Sequence, residues 1–134
     1  MADVAGVSVV VVTYDAMPWI EHALESVRGI PTVVVDNGSG DGTVDLVRER
    51  FAEVTLVEQE NVGLAAGWNR GIERAGGDLV LVLNADAWLV GDALAALVRV
   101  AERRPEAALI GPRLLNPDGS LQRSVRSSTS VSTT

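Results

Sequence analysis

Hydrophobic and polar positions follow two alternating patterns along this chain. Short apolar runs rich in valine are separated by segments in which apolar residues recur every three or four positions. The runs predict strands, and the longer period predicts helices with one apolar face. Strands are expected at 7–12, 32–35, 54–57, 79–83 and 108–110, and helices at 18–28, 41–51, 64–75 and 91–104. This alternation predicts an α/β fold with a mainly parallel sheet flanked by helices.

The run at 79–83 carries the strongest functional signal. Its five consecutive apolar residues predict a strand covered on both faces, and it ends abruptly in Asn84, Ala85 and Asp86. In open α/β sheets, ligands bind beyond the carboxyl ends of the strands. Asp86 is therefore expected where a metal ion or a polar substrate would be bound, and a simple turn is the alternative.

Two other predicted strands also end in polar residues. Thr13, Tyr14 and Asp15 follow the first strand, and Asp36 begins the polar stretch after the second. Because the carboxyl ends of parallel strands share one edge, these groups are expected to converge on one crevice with Asp86. Asp36 is suited to accept hydrogen bonds from a ribose or a base, and its alternative role is to cap the glycine-rich loop that follows.

Glycines mark two further segments. The loop 38–42 does not match the dinucleotide fingerprint, because Thr43 stands in place of its last glycine. It does not match a calcium-binding loop either, because Gly38 stands where that pattern needs a ligand. The loop is therefore interpreted as a turn. In the third helix, Gly67 and Gly71 each cost about 1 kcal/mol relative to alanine. Such glycines indicate a close backbone approach, either to a neighbouring element or to a ligand.

Composition excludes several functions. The formal charge of −7 argues against a nucleic-acid partner, and the absence of cysteine excludes disulfides and zinc thiolate sites. All 11 basic residues are arginine, so the lysine of a P-loop is missing. The single histidine, His22, is predicted to face solvent. The apolar N-terminal run is too short to span a bilayer, so a cytoplasmic protein is expected.

The last part of the chain carries a turn and a polar tail. Asn-Pro-Asp-Gly at 116–119 predicts a tight turn between hairpin arms at 113–115 and 120–122. Asp118 is accordingly interpreted as a turn residue and not as a catalytic base. Residues 127–134 are rich in serine and threonine, and they are expected to be disordered or to mark a truncation.

Four stretches of this chain resemble family 2 glycosyltransferases of the GT-A fold. They are VSVVVVTYDA, VVVDNGSGDGT, ENVGLAAGWNRGIERAGGDLVLVLNAD and IGPRLLNPDGSLQRS, in the family's order and spacing. The resemblance is to the N-terminal half, particularly of rhamnosyltransferase-like members that decorate bacterial polysaccharides. It implies that residues 1–126 form the nucleotide-sugar-binding half of a Rossmann-like GT-A domain whose C-terminal part is incomplete.

The resemblance also implies which residues contact the donor. They are Thr13, Tyr14, Asp15, Asp36, Asn61, Gly67, Asn69, Asn84 and Asp86. Asp15 stands where the family usually has asparagine, and Asp36 would contact the base or the ribose. Asn84 and Asp86 occupy the D-x-D position, which implies that Asp86 holds a divalent cation, Mg²⁺ or Mn²⁺, with Asn84 at best a neutral ligand. A single carboxylate suffices where substrate phosphates complete the coordination shell.

The function implied is metal-dependent binding of a dTDP-, UDP- or GDP-linked sugar and inverting transfer to a hydroxyl of a saccharide or lipid-linked acceptor. The pathway would be bacterial polysaccharide or cell-wall synthesis, in the cytoplasm or at the inner face of the membrane. The general base is expected outside this chain, since no acidic residue follows Asp118. Two alternatives stay open: a truncated, non-catalytic domain that self-associates as a homodimer, and another nucleotide-dependent Rossmann-like transferase.

Overall fold

The structure is a computed structural model that describes residues 4–124. Its elements are β1 (Val7–Thr13), α1 (Trp19–Glu25), β2 (Thr32–Asp36), α2 (Thr43–Arg50), β3 (Thr55–Glu58), α3 (Leu64–Arg74), β4 (Leu79–Asn84), α4 (Ala93–Arg103), β5 (Leu114–Leu115) and β6 (Leu121–Gln122). The chain forms two compact units, the first ending at Ala95 and the second beginning at Ala96. None of the helices within residues 4–124 is long and apolar enough to cross a membrane.

The first unit is built on a four-stranded parallel sheet. Its strand order is β3-β2-β1-β4, and every neighbouring pair is parallel. The valine-rich strand β1 is buried along its whole length, because it has a neighbour on each side. This arrangement confirms the α/β prediction.

Alternate residues of β1 face different helices. Val9 and Val11 belong to the main core cluster, which also contains apolar residues of α1 and α2. Val10 instead lies against α3, because a Cβ atom added at Gly71 would come within 2.2 Å of its Cγ1 atom. Helices therefore cover both faces of the sheet, with α1 and α2 on one face and α3 on the other.

The two glycines inside α3 are explained by this packing. A Cβ atom at Gly67 would lie 2.8 Å from Cγ1 of Val12, and the contact at Gly71 is tighter still. Neither space can hold a larger residue without movement of β1. Of the two explanations that the sequence left open, the structure supports approach to a neighbouring strand at both positions.

The strand β4 differs from its prediction. In the described part of the chain it is an edge strand that pairs only with β1, and of its residues only Leu83 is buried. Val82, for example, is 39% exposed. The expectation of a strand covered on both faces is therefore wrong. An apolar run identifies a strand but does not give its position in the sheet.

The prediction of a strand at 108–110 is also wrong. These residues form no strand, and Leu109 is 93% exposed. Three apolar residues without a paired neighbour bury too little surface to be held extended. The helices begin later or end earlier than predicted; α1, for example, ends at Glu25 and is followed by turns up to Gly29.

The hairpin predicted in the second unit is confirmed. Strands β5 and β6 pair antiparallel around the turn at 116–119. In this turn the Ser120 hydroxyl and amide both donate to Oδ1 of Asp118, and the hydroxyl bond holds the pKa of that carboxyl below its usual value. The tail predicted at 127–134 lies outside the described residues.

Candidate functional site

The carboxyl ends of β1, β2 and β4 lie side by side. Thr13 is paired with Asp36 across β1 and β2, and Val12 is paired with Asn84 across β1 and β4. Asp86 follows in the turn that ends β4. The expected convergence of the strand ends is therefore present, and we call this part of the first unit the strand-end edge.

A buried carboxylate organises the middle of the strand-end edge. The hydroxyls of Thr13 and Ser39 each donate to Oδ1 of Asp36 at 2.6 Å. The backbone amides of Gly38 and Ser39 donate to Oδ2 at 3.0 and 2.8 Å. Asp36 is only 2% exposed, so the protein itself uses both carboxylate oxygens. These bonds form the loop-capping arrangement that the sequence left as the alternative role of Asp36.

Two further aspartates tie the loop after β1 to the glycine-rich loop. Asp15 accepts a hydrogen bond from the Gly40 amide at 2.7 Å, and its own amide donates to Oγ of Ser39 at 2.9 Å. Asp41 accepts a hydrogen bond from the Met17 amide at 2.9 Å. Asp15 has a φ angle of +49°, a left-handed conformation in which Asp and Asn are enriched among non-glycine residues. The two loops are thus fixed against each other.

A second network connects β2 to the start of α3. The side chain of Asn37 accepts a hydrogen bond from Gln59 Nε2 at 2.9 Å and donates to the carbonyl of Gly63 at 3.3 Å. The Gly63 amide in turn donates to Oδ1 of Asn61 at 3.1 Å. Asn61 is exposed beside this network, and Asn69 is exposed on α3.

Asp86 and Tyr14 present exposed groups at the strand-end edge. Ala85 and Ala87 pack against the main core cluster, so the residue between them, Asp86, points away from the core and is exposed. Asn84 is exposed as well, and its carbonyl accepts a hydrogen bond from the Ala87 amide at 3.1 Å. Tyr14 is 57% exposed.

Asn84 and Asp86 could offer a cation one amide oxygen and one carboxylate. Within residues 4–124, no group of three or more acidic, histidine or cysteine side chains is placed to hold a metal ion. Such a small donor set fits Mg²⁺ or Mn²⁺ only where waters and substrate phosphates complete the shell. It does not fit a zinc or calcium site made by protein ligands alone.

The sequence did not single out Gln59 and Arg48, which line an open pocket together with Asp36 and Ser39. Gln59 directly follows β3, so a polar residue after the third strand was a usable signal. Arg48 lies on the exposed side of α2 and forms an ion pair with Glu58. Its position in the helix pattern gave no sign of the pocket.

Sequence comparison identifies relatives over most of the chain. Residues 8–132 match the family model described as Glycosyl transferase family 2. An N-acetylglucosaminyl-diphospho-decaprenol L-rhamnosyltransferase of Mycobacterium tuberculosis is 33% identical over 135 residues, which cover 88% of this chain and 44% of the relative. The chain therefore spans less than half the length of this relative.

Solved structures share the fold. The mannosyltransferase PcManGT from Pyrobaculum calidifontis, in complex with GDP-Man and Mn²⁺, superposes with a TM-score of 0.66 and 36% identity, over 72% of this chain and 32% of that one. TarS of S. aureus, in complex with UDP-GlcNAc, gives a TM-score of 0.65 at 23% identity, over 74% of this chain and 32% of that one. These likenesses confirm the GT-A architecture and show that the chain covers only part of such a domain.

Proposed function

The chain belongs to glycosyl transferase family 2, and from this premise we propose that it binds the nucleotide-diphosphate sugar of a glycosyl transfer reaction, together with a divalent cation. The observation that carries the proposal is the exposed carboxylate of Asp86 at the strand-end edge, next to the ordered ends of β1 and β2. The complex of the similar mannosyltransferase with GDP-Man and Mn²⁺ supports it. The donor would be a dTDP-, UDP- or GDP-linked sugar.

Three exposed residues are proposed to contact the nucleotide directly. Tyr14 offers an aromatic ring that is more than half exposed, a surface against which a base can stack. Asn61 and Asn69 offer amide groups that can donate to and accept from base, ribose or phosphate. Their exposure leaves these groups available to a ligand.

The remaining expected residues are proposed to position the site. Thr13 and Asp36 hold the glycine-rich loop through their buried hydrogen bonds, and Asp15 fixes the loop that carries Tyr14. Gly67 brings α3 close to β1. Preorganised polar groups of this kind lower the ordering cost of binding a ligand.

In the proposed reaction, Asp86 would hold the cation with its carboxylate, and Asn84 would contribute an amide oxygen. The cation, when bound, neutralises the charge that develops on the leaving diphosphate. The acceptor oxygen forms a bond to the anomeric carbon as the bond from that carbon to the diphosphate breaks, and a base takes the hydroxyl proton. We do not assign the last acidic residue, Asp118, as this base, because its carboxylate is held in the hairpin turn. The acceptor would be a saccharide or a lipid-linked saccharide at the cytoplasmic side of the membrane.

Titration calorimetry of the full chain with UDP, GDP or dTDP in the presence of MnCl₂ tests this proposal. At least one nucleotide should bind, and Asp86→Asn should weaken that binding on the order of tenfold or more, because the carboxylate proposed to hold the cation is lost. Asp78→Asn is the matched control. It removes the same charge from an exposed residue just before the opposite end of β4, and it should leave binding unchanged.

Two results would overturn the proposal. One is that none of the three nucleotides binds with or without Mn²⁺. The other is that binding occurs but Asp86→Asn and Asp78→Asn affect it equally, because the strand-end edge would then play no special part.

Self-association is a second candidate, and the exposure of β4 favours it. Leu79 and Val82 on this edge strand are each 39% exposed, and an open strand edge can pair with another chain. A homodimer covering this edge would elute from a sizing column at twice the monomer mass. Val82→Lys should then shift it to the monomer position, and a strictly monomeric wild-type chain would exclude this candidate.

A further inference from the structure

Three successive backbone amides in the loop after β1 donate hydrogen bonds to side chains of the glycine-rich loop and of the first residue of α2. The bonds run from Asp15 to Oγ of Ser39 at 2.9 Å, from Ala16 to Oγ1 of Thr43 at 3.1 Å and from Met17 to Oδ2 of Asp41 at 2.9 Å. The three acceptors alternate with glycines in the sequence Ser-Gly-Asp-Gly-Thr at 39–43. All three amides are therefore engaged by the protein itself.

Thr43 is the central residue of this arrangement. It is 0% exposed, and its hydroxyl accepts the hydrogen bond from the Ala16 amide while it donates to Oδ1 of Asp41 at 2.6 Å. The Thr43 amide donates to the same oxygen at 3.0 Å, which leaves Oδ2 of Asp41 for the Met17 amide. A buried hydroxyl that both donates and accepts cannot be replaced by a methyl group without leaving polar groups unpaired. Thr43 thus fixes the loop after β1 against the start of α2.

Tyr14 lies between two anchored residues. On one side, the Thr13 carbonyl accepts a hydrogen bond from the Asn37 amide at 2.8 Å, and the Thr13 hydroxyl is bonded to Asp36. On the other side, Asp15 provides the first of the three bonded amides. The ring of Tyr14 is nevertheless open to solvent, since this residue is 57% exposed. The neighbouring backbone is therefore fixed while the aromatic ring remains available to a ligand.

The bonded amides of residues 15–17 also decide which part of a nucleotide this loop can bind. In dinucleotide-binding folds, the backbone amides that follow the first strand bind the pyrophosphate. Here these amides are bonded to side chains and are not free for phosphate oxygens. The carboxylates of Asp15 and Asp41 also lie at this loop, and their negative charge repels a phosphate. What the loop offers a nucleotide is the ring of Tyr14.

We propose that Thr43 and Asp41 are positioning residues, which hold Tyr14 in place for the base of the nucleotide-sugar and take no part in binding its diphosphate. This inference rests on the proposed function, because it concerns the base end of the same donor site. A ring carried on a fixed backbone loses less conformational freedom when a base stacks on it. Loss of the Thr43 hydroxyl should therefore weaken binding of a nucleoside diphosphate but not binding of the diphosphate group alone.

Titration calorimetry of the full chain with UDP, GDP or dTDP and MnCl₂ tests the inference. With the nucleotide that binds the wild type most tightly, Thr43→Val should bind on the order of threefold to tenfold more weakly, because one more side chain must be ordered on binding. Thr43→Ser keeps the hydroxyl and should restore the wild-type affinity. Thr55→Val, at an exposed position of β3, is the matched control and should bind as the wild type does. Circular dichroism verifies that each variant is folded.

Two further measurements separate positioning of Tyr14 from a general loss of structure. Pyrophosphate with MnCl₂ should bind Thr43→Val as it binds the wild type, and in a Tyr14→Ala background Thr43→Val should not weaken nucleotide binding further. Equal losses for pyrophosphate and nucleotide, or an undiminished loss in the Tyr14→Ala background, would overturn the inference.

A second pair of variants serves if Thr43→Val does not fold. Asp41→Ala removes the acceptor of the Met17 amide from an exposed residue and should weaken nucleotide binding in the same way. Asp45→Ala removes the same charge from an exposed residue of α2 and should bind as the wild type does. Equal affinities of the two aspartate variants would contradict the role of Asp41.

The position of Tyr14 can also be followed without a nucleotide. It is the only tyrosine of the chain, so labelling with fluorotyrosine gives a single ¹⁹F resonance. Thr43→Val should narrow this resonance, because the ring gains mobility, and Thr55→Val should leave it unchanged. If nucleotide binds but Thr43→Val alters neither the affinity nor the resonance, this inference alone is rejected. If no nucleotide binds the wild type, the proposed function is rejected, and the role in base binding is rejected with it.

Discussion

Thr13 and Asp36 share a 2.6 Å hydrogen bond between side chains that are 1% and 2% exposed. The bond joins the ends of β1 and β2, and the same carboxylate also holds the hydroxyl and amide of Ser39. Burial of a carboxylate is costly unless donors surround it. The strand ends and the glycine-rich loop therefore depend on one another for this arrangement.

Thr13→Val should destabilise the folded state by about 1–3 kcal/mol, because the buried carboxylate of Asp36 loses a donor while side-chain volume is nearly kept. Urea unfolding followed by circular dichroism measures the change. Thr55→Val, on the exposed part of β3, is the matched control and should change stability by less than about 0.5 kcal/mol. Similar losses in both variants would argue against a special role for the Thr13 hydroxyl.

Much of the first unit could be predicted from the period of its apolar residues. Burial imposes a period on strands and helices, so the valine runs and helix faces located β1 to β4 and α1 to α3. The convergence of the strand ends also followed from the sequence, because strands joined by crossover helices run parallel. Thr13, Asp36 and Asn84 could thus be grouped before any coordinates were known.

Features that depend on tertiary neighbours could not be predicted. The exposure of β4 follows from its place at the sheet edge, which an apolar run does not encode. The bond from the Gly40 amide to Asp15 and the bond from the Met17 amide to Asp41 each join residues more than 20 positions apart through loops of irregular conformation. Gly67 illustrates the same point, because only the structure shows that Val12 fills the space beside it.

Gly71→Ala should destabilise the protein by about 1–3 kcal/mol, in spite of the better helix propensity of alanine. The new Cβ atom would lie 2.2 Å from Cγ1 of Val10 and 3.3 Å from Cγ2 of Val35, so α3 and the sheet would have to separate. Denaturant unfolding gives the difference in the free energy of unfolding between Gly71→Ala and the wild type. Gly76→Ala, where an added Cβ atom meets nothing within 4 Å, should be close to neutral.

The contact responsible can be identified by a second substitution. In the Gly71→Ala background, Val10→Ala should cost less than it does in the wild type, because the truncated side chain makes room for the new methyl group. A coupling energy of about 0.5–3 kcal/mol is expected from the double-mutant cycle. Strictly additive effects would mean that the clash lies elsewhere.

Asp15→Val should lower stability by about 1–3 kcal/mol, because a β-branched residue is strained at a φ angle of +49° and cannot accept the hydrogen bond from Gly40. Asp15→Asn keeps a side-chain oxygen and tolerates this conformation, so it should remain near the wild type. Thermal unfolding of the wild type, Asp15→Val and Asp15→Asn gives the three Tm values to be compared. Equal Tm values for the valine and asparagine variants would show that the loop relaxes freely.

Asp41 should make stability depend on pH in the acid range. Burial alone would raise the pKa of its carboxyl, but hydrogen bonds from Thr43 and Met17 outweigh this effect and hold the pKa below its ordinary value of 3.8. A group whose pKa is lower in the folded state stabilises the protein above the unfolded value, and this contribution is lost as pH falls through the folded value. The stability difference between the wild type and Asp41→Asn should therefore shrink as pH falls from about 6 to about 3.

Urea unfolding at several pH values measures this difference, and other carboxyl groups cancel because both proteins contain them. Glu73→Gln, which removes a charge from the exposed face of α3, controls for the change in net charge. Asp41→Asn also replaces one carboxylate oxygen by an NH₂ group, which cannot accept the hydrogen bond from the Met17 amide. The variant is therefore expected to be less stable than the wild type at neutral pH. A difference that stays constant over the whole acid range would show that these hydrogen bonds do not favour the ionised form of Asp41.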